Sequence, residues 1–520
     1  MGSGDVYKRQ RYEGSGVRQD SLTPDTSLLT PKKESMQNSN NQHFDVIIIG
    51  AGLSGIGAAC HLKRNCPDKT FAMLEGRSNI GGTWDLFKYP GIRSDSDMHT
   101  FAYSFRPWTY EKTISDGATI LKYLNETIDD YELRQHIKLN HWISEVSWSA
   151  NENKWYVVGQ DKARNVAIQL SCNFLIFGTG YYDYDEGYTP DFKGLERYKG
   201  QFVHPQKWTA DIEYENKDVI IIGSGATAIT LLPTMAEKTK HITLLQRSPT
   251  YMMSLPKHDG FSKFLHNWLP SKVAHFIARW KYILRQIYFY RISKKKPKEV
   301  RYYIKSQIKK VLDEEYVETH FNPKYDPWDE RVCAVLDNDL FNAINAGKCT
   351  MVTDHIDSFT EKGILLQSGK ELAADLVVSA TGLKIKFAGG IKIKVNGKVV
   401  DPSKLVNYKG MMLQDVPNLA SIAGYTNASW TLKSDLVGEY VCRLLKHMDK
   451  KGLASCTPAL SQKDITTEPA SDLASGYIQR ALHLLPKQGG KYPWKLNQNY
   501  IKDMIALRFK SIDDGYLVFK

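Results

Sequence analysis

The sequence predicts an α/β fold made of two Rossmann-like dinucleotide-binding domains, with a helical insert in the second. Three observations predict it. Two glycine fingerprints, Gly50-Ala51-Gly52-Leu53-Ser54-Gly55 and Gly223-Ser224-Gly225-Ala226-Thr227-Ala228, each follow an apolar strand-like run and each open a helical pattern. The stretches after them match: short strand-like runs close on Gly178-Thr179-Gly180 in the first half and on Ala380-Thr381-Gly382 in the second. Inside the second half lies a basic stretch, about 254 to 325, whose apolar residues recur at the helical period.

The first unit begins with Phe44-Asp45-Val46-Ile47-Ile48-Ile49. Gly50, Gly52 and Gly55 let the turn tighten, let backbone approach a pyrophosphate and let the helix pack on the strand, with the phosphates at the positive helix end. About 20 residues on, the second strand of such a unit meets the adenosine ribose. Here the run Phe71-Ala72-Met73-Leu74 ends in Glu75, an acid that can accept from ribose hydroxyls, which predicts FAD.

The second unit begins with Asp218-Val219-Ile220-Ile221-Ile222, and Gly223, Gly225 and Ala228 stand at the three fingerprint positions. Its second strand, Ile242-Thr243-Leu244-Leu245, ends in Gln246-Arg247-Ser248. A carboxylate is absent there and a guanidinium can pair with a 2′-phosphate, which predicts NADPH. The boundaries follow: an extension over 1–42, an FAD-binding domain from 43–185 plus 385–520, and an NADPH-binding domain over 186–384 that holds the insert.

Within the insert, Val273, Phe276, Ile277, Trp280, Ile283, Leu284, Ile287 and Tyr288 follow the helical period, while Lys272, Arg279 and Arg285 lie mostly off that stripe. The first reading packs the stripe on the NADPH-binding domain as a cap over the cleft. The second places it against an anionic membrane surface.

Composition bounds the rest. A chain of 520 residues, 42% hydrophobic and 24% charged, suits a soluble protein of about two to four domains. The seven cysteines, Cys60, Cys66, Cys172, Cys333, Cys349, Cys442 and Cys456, are scattered. They offer neither metal-ligand spacing nor the close pair that a disulfide oxidoreductase needs, and they suit a reducing, cytoplasmic compartment with no metal site. Residues 1–42 are polar and lack an apolar h-region, so a disordered extension is expected rather than a signal peptide; the first ten residues read as a cloning or assembly scar, with Met36 as an alternative start. No window of about 18 apolar residues predicts a spanning helix. The net charge of +12 sits in one place: between Lys257 and Lys310, fifteen Lys or Arg face only Asp259 and Glu299. No nucleic-acid module accompanies that charge, so a nucleic-acid partner is not expected.

Just before the second fingerprint runs Tyr198-Lys199-Gly200-Gln201-Phe202-Val203-His204-Pro205-Gln206-Lys207-Trp208. This segment resembles one in the class B flavoprotein monooxygenases, whose Baeyer-Villiger branch carries an aromatic, a Gly, a His and a Trp at this spacing. Tyr198 stands where Phe is commoner, and Thr209 where Pro or Asp is. The resemblance continues from Phe44 to the C-terminus. Gly81-Gly82-Thr83-Trp84 and Lys88-Tyr89-Pro90-Gly91-Ile92-Arg93-Ser94-Asp95 look like the family's flavin-proximal loop. Tyr325-Asp326-Pro327-Trp328-Asp329-Glu330-Arg331, Gly424-Tyr425-Thr426-Asn427-Ala428-Ser429-Trp430-Thr431 and Pro486-Lys487-Gln488-Gly489 are similar to the ethionamide monooxygenase-like subgroup, which activates thioamides.

The resemblance implies roles. Gly200, His204 and Trp208 would orient the interdomain linker and NADP; Gly82, Thr83, Trp84 and Asp95 would lie against FAD; Asn427 and Trp430 would line the flavin or substrate pocket. Arg331 would be the catalytic cation and Asp95 the carboxylate that holds it, although Glu330 replaces the Lys that often precedes that Arg and Asp95 could instead cap a helix near Asp97. NADPH would reduce the flavin, O2 would form a C4a-peroxyflavin, and the cation would keep the peroxide anionic for attack on a ketone carbonyl. The expected activity is conversion of ketones to esters or lactones, with oxidation of sulfides or thioamides. Two rivals stay open: an N- or S-oxygenating enzyme without ketone activity, and a non-catalytic nucleotide-binding flavoprotein.

Overall fold

Two mainly parallel sheets organise the chain, and each grows from one glycine fingerprint. The computed structural model describes residues 42–460, 466–471 and 473–520. The extension expected over 1–42 lies outside them, save for Gln42.

In the first sheet the strand His43–Ile49 runs parallel between Phe71–Leu74 and Val166–Phe177. Val46, Ile47 and Ile48 are fully buried, because both faces of this central strand are covered; that is why its sequence is continuously apolar rather than alternating. The sheet continues antiparallel through Lys154–Asp161 and His141–Ser149. The C-terminal part of the chain returns to it: Lys392–Val395 pairs parallel with His141–Ser149, and Leu419–Ser421 with Val166–Phe177. Two helices, Leu53–Asn65 and Trp430–Lys451, pack on one another in the core of this domain.

The second sheet has five parallel strands in the order Cys349–Thr353, His241–Gln246, Asp218–Ile222, Leu376–Ser379, Gln201–Val203. An antiparallel excursion, Ile356–Phe359, Gly363–Leu366 and Glu371–Ala373, precedes its strand Leu376–Ser379. The two halves share one turn geometry. Gly50 has φ +105° and a Cβ there would come within 2.6 Å of the Gly178 carbonyl oxygen; Gly223 has φ +113° and a Cβ would come within 2.5 Å of that of Ala380. Only glycine fits either position.

Four helices form the insert: Gly260–Trp268, Ser271–Lys295, Pro297–Ile308 and Glu314–His320. The expectation that its apolar stripe caps the NADPH-binding domain is corrected here. Helix Ser271–Lys295 packs against the short helix Met98–Phe101 of the first domain, with Ala274, Ala278, Arg279, Tyr282 and Ile283 turned inward. Val273, Phe276, Ile277, Leu284 and Tyr288 are exposed, while Trp280 and Ile287 rest half-buried against the first-domain core. The physical reason is a polar anchor. The Arg279 guanidinium donates to the carbonyls of His99 and Ala102 at 2.9 and 2.6 Å and pairs with the buried Asp435 at 3.4 Å. Such an anchor decides which face turns in, and the alanines permit the close approach. No helix among the described residues is long and apolar enough to cross a membrane.

Candidate functional site

The first nucleotide cradle forms where helix Leu53–Asn65 begins at Gly52, an N-cap without a side chain, so its first amides are left for a ligand. A cavity of about 280 Å³ opens beside it, lined by Gly50, Gly52, Glu75, Arg77, Gly82 and Thr179. The buried Glu75 carboxylate accepts from the Ala51 amide at 2.8 Å and the Arg77 amide at 3.0 Å. Burial raises its pKa even though both amides favour the charged form. Glu75 therefore braces the glycine turn from the cavity wall, at the end of the strand Phe71–Leu74.

Gly82 caps the short helix Thr83–Leu86, whose Thr83 hydroxyl lies 3.4 Å from that of Tyr184. Sequence reasoning missed Tyr184, whose phenol burial pushes up to about 12.

The second cradle repeats the pattern. Helix Ala226–Met235 begins at Gly225, again without a side-chain cap, and a Cβ on Gly225 would meet nothing within 4 Å. Ala228 is fully buried. Arg247 and Ser248 lie exposed at the end of the strand His241–Gln246. Gln246 turns the other way: it is buried, and its amide nitrogen donates to the His320 carbonyl at 2.8 Å and the Thr353 hydroxyl at 2.9 Å. That amide is committed to joining the insert to the sheet. Arg247 reaches electrostatically to Glu330, whose pKa burial raises and Arg247 lowers.

The cradles meet in a second cavity of about 280 Å³, lined among others by Gly52, Trp84, Asp95, Thr227, Arg331 and Trp430. Asp95 arrives on a loop that packs on the second-domain helix: a Cβ on Gly91, at φ +74°, would come within 2.3 Å of the Thr234 hydroxyl. The helix cap at this loop's end is Asp97, which accepts from the Thr100 amide at 2.8 Å, so Asp95 is not the capping residue. An Asp95 carboxylate oxygen lies 3.8 Å from Arg331 Nη1.

The insert holds Arg331 in place. The Tyr325 carbonyl accepts from Tyr251 Oη at 2.8 Å and Arg301 Nη2 at 2.9 Å, and Asp329 pairs with Lys294 at 2.8 Å. Arg331 Nε is buried with no hydrogen-bond partner among the described residues, a donor available to a ligand. Burial opposes the guanidinium charge, but Tyr181, Tyr477, Asp95 and Tyr182 outweigh it and raise the pKa, so Arg331 is a permanent cation. These three tyrosines were not legible beforehand. Tyr181 donates to the Tyr182 hydroxyl at 2.7 Å and stacks on Trp430 at 5.0 Å between ring centroids. Trp430 Nε1 in turn donates to Ser54 Oγ at 2.8 Å, tying the C-terminal segment to the first fingerprint.

A larger cavity of about 640 Å³ shares Asp95 and Arg331 with this junction and is otherwise lined by residues such as Gln286, Phe289, Trp328 and Asn427. Asn427 Nδ2 donates to the Gln498 carbonyl at 3.0 Å, which orients it along the wall. A fixed cation and a carboxylate thus stand between two nucleotide cradles and a mostly apolar chamber. Such an arrangement can stabilise negative charge developing on a reacting oxygen.

The linker residues play another part. His204 Nε2 lies 3.0 Å from the Gly382 carbonyl and Nδ1 accepts from the Gln206 amide at 3.2 Å, which requires a neutral ring protonated at Nε2. Burial lowers its pKa accordingly. Gly200 is needed because a Cβ would come within 2.3 Å of the Tyr198 hydroxyl and 2.7 Å of the Asp375 carbonyl oxygen. Trp208 is buried in the second-domain core, 6.0 Å from Tyr214 between ring centroids, and lines none of the cavities above.

The family model described as flavin-binding monooxygenase-like matches residues 44–451. The FAD-containing monooxygenase EthA of Mycobacterium tuberculosis is 48% identical over 480 residues, covering 92% of this chain and 98% of that protein. EthA of Mycolicibacterium smegmatis is 45% identical over 480 residues, covering 92% and 97%. A solved structure of an oxidised steroid monooxygenase bound to NADP has a TM-score of 0.67 at 22% identity, covering 80% of this chain and 88% of that one, a likeness of fold.

Proposed function

The chain belongs to the flavin-binding monooxygenase-like family, and on that premise we propose that it inserts one oxygen atom of O2 beside a ketone carbonyl, giving an ester or lactone, and oxidises sulfides or thioamides at the same site. It is an FAD-containing, NADPH-dependent monooxygenase. FAD fits the first cradle, where Gly50 and Gly52 leave room for the pyrophosphate and Glu75 stands at the ribose position. NADPH fits the second, with Arg247 exposed to take the 2′-phosphate.

When bound, the flavin accepts hydride from NADPH and activates O2. Arg331 supplies a cation for the oxygen being transferred and then for the carbonyl oxygen as it becomes an alkoxide, a role worth about 10² to 10³ in rate. Asp95 positions that guanidinium. Trp430, held by Ser54 and Tyr181, walls the junction against water. The larger apolar cavity, which shares Asp95 and Arg331 with the junction, receives the substrate.

The observation that carries this reading is the Arg331–Asp95 pair at the meeting of both cradles and the substrate-sized chamber. Purified protein should be yellow and should consume NADPH in air. A protein that takes up no flavin even after reconstitution contradicts every form of the proposal.

A further inference from the structure

Helices Gly260–Trp268 and Ser271–Lys295 turn a broad apolar surface to solvent. On the first, Phe261, Phe264 and Trp268 share one face and are 43%, 58% and 75% exposed, while Ser262 and Leu265 point inward. On the second, Val273, Phe276, Ile277, Leu284 and Tyr288 are exposed, Phe276 to 61% and Tyr288 to 67%. Single exposed apolar side chains need no explanation; a cluster of this size on one helical hairpin marks a contact surface.

The same segment is the charge centre of the molecule, with fifteen Lys or Arg against two acids between Lys257 and Lys310. Lys263, Lys272, Arg291, Lys295 and Lys296 are exposed and form no ion pair with any described residue.

We propose that this hairpin docks the protein on a bilayer containing anionic lipid, its aromatic and aliphatic side chains entering the headgroup boundary while the lysines and arginines pair with lipid phosphates. Charge selects the occupant. A second copy would bring two strongly basic faces together, and their repulsion opposes that contact. Attachment is peripheral, because no described helix can span a membrane. Arg285, Gln286 and Phe289 of the long helix line the 640 Å³ cavity, so docking face and chamber lie on two sides of one helix. Docking through this face is independent of the reaction catalysed.

Cosedimentation of the FAD-loaded full chain with vesicles tests it, using phosphatidylcholine alone or mixed with phosphatidylglycerol. The protein should bind the mixed vesicles and bind neutral ones about tenfold or more weakly. The combined variant Phe264→Ser, Trp268→Ser, Phe276→Ser should weaken binding to mixed vesicles about tenfold or more, with flavin content and NADPH oxidation unchanged. Lys272→Glu with Arg291→Glu should weaken it as well. Should the triple variant fail to fold, brominated lipid gives a second reading: it should quench wild-type tryptophan fluorescence more than that of Trp268→Phe. Equal sedimentation of wild type and folded apolar variant, or equal quenching, overturns the proposal. So does a wild type that ignores lipid but forms a dimer that the apolar variant abolishes, which would make the face a self-association surface.

Discussion

Arg331 and Asp95 approach to 3.8 Å from different domains, Arg331 on the loop that the helical insert pins and Asp95 on the loop that follows the first-domain flavin-type segment. At that distance the contact is an ion pair longer than a hydrogen bond. Among the described residues the buried Arg331 Nε has no hydrogen-bond partner, so the guanidinium keeps a donor free. On the proposed reaction this donor meets the oxygen that becomes negative.

Arg331→Ala should therefore leave flavin reduction by NADPH intact and lower ketone oxygenation by about 10² to 10³. Asp95→Asn should cost less, because it removes the residue that positions the cation and not the cation itself. Stopped-flow reduction under nitrogen, followed by product assay in air, separates the steps. Loss of flavin reduction in Arg331→Ala would assign the arginine to the nicotinamide half of the cycle.

Arg247 offers a cofactor test. Arg247→Ala should raise the KM for NADPH by about tenfold or more while changing that for NADH little, because only NADPH has a 2′-phosphate for the guanidinium to pair. Steady-state kinetics with both cofactors checks it. An equal effect on both would make Arg247 structural.

His204 predicts a pH dependence. Its folded pKa lies below the ordinary histidine value because the ring is buried, so the unfolded chain binds more protons and the stability contributed is complete above about pH 6.5 and falls as pH drops below it. Protonation at Nδ1 also breaks the bond from the Gln206 amide. The KM for NADPH should rise in the wild type as pH falls through the folded His204 value, which lies below about 6.5, and His204→Gln should flatten that rise. Parallel profiles in the two proteins would place the titrating group elsewhere.

Asp435 predicts a second one, of the same sign but a different cause: its pKa is also lowered in the fold, by partners rather than by burial. Burial would raise its pKa, but the hydrogen bond and charge of His61 and the charge of Arg279 outweigh burial and hold it below the ordinary carboxylate value. A depressed carboxylate stabilises the fold fully above its unfolded pKa near 3.9, and that contribution is lost as pH falls through the folded value. Asp435→Asn should cost about 3 to 5 kcal/mol at pH 7 by leaving Arg279 buried without its partner. Denaturant midpoints should show that gap narrowing as pH drops below about 4. A gap that stays constant with pH would mean that packing, not charge, is lost.

How much of this was legible in the sequence depended on whether a residue answers to its neighbours in the chain or to distant ones. Gly50 and Gly223 are demanded by their own φ angles and by a carbonyl a strand away, so the local pattern reveals both. Glu75 and Arg247 follow from counting along a strand of standard rise. Arg331 and Asp95 were named from motif resemblance, yet their approach to 3.8 Å depends on a loop held by Lys294 and Arg301, which no local pattern encodes. Tyr181, Tyr182 and Tyr477 escaped notice because they converge on Arg331 from two separate segments, brought together when the C-terminal part rejoins the first sheet. The insert shows the limit of periodicity. The apolar stripe from Val273 to Tyr288 has a helical period, but Arg279 finds two carbonyls and Asp435, and that anchor turns much of the stripe outward. Gln246 likewise sits where the fingerprint places a ribose contact, while its amide is drawn to His320 and Thr353.

On the proposed reaction, a cation held at the junction of two nucleotide cradles directs oxygen to a carbonyl. Mass spectrometry of products from linear, cyclic and aryl ketones, formed under 18O2 with NADPH, tests it most directly. The wild type should give esters or lactones that carry one 18O atom, and Arg331→Ala about 10² to 10³ less of them. Sulfoxides from a sulfide panel, with no ester from any ketone, would contradict it.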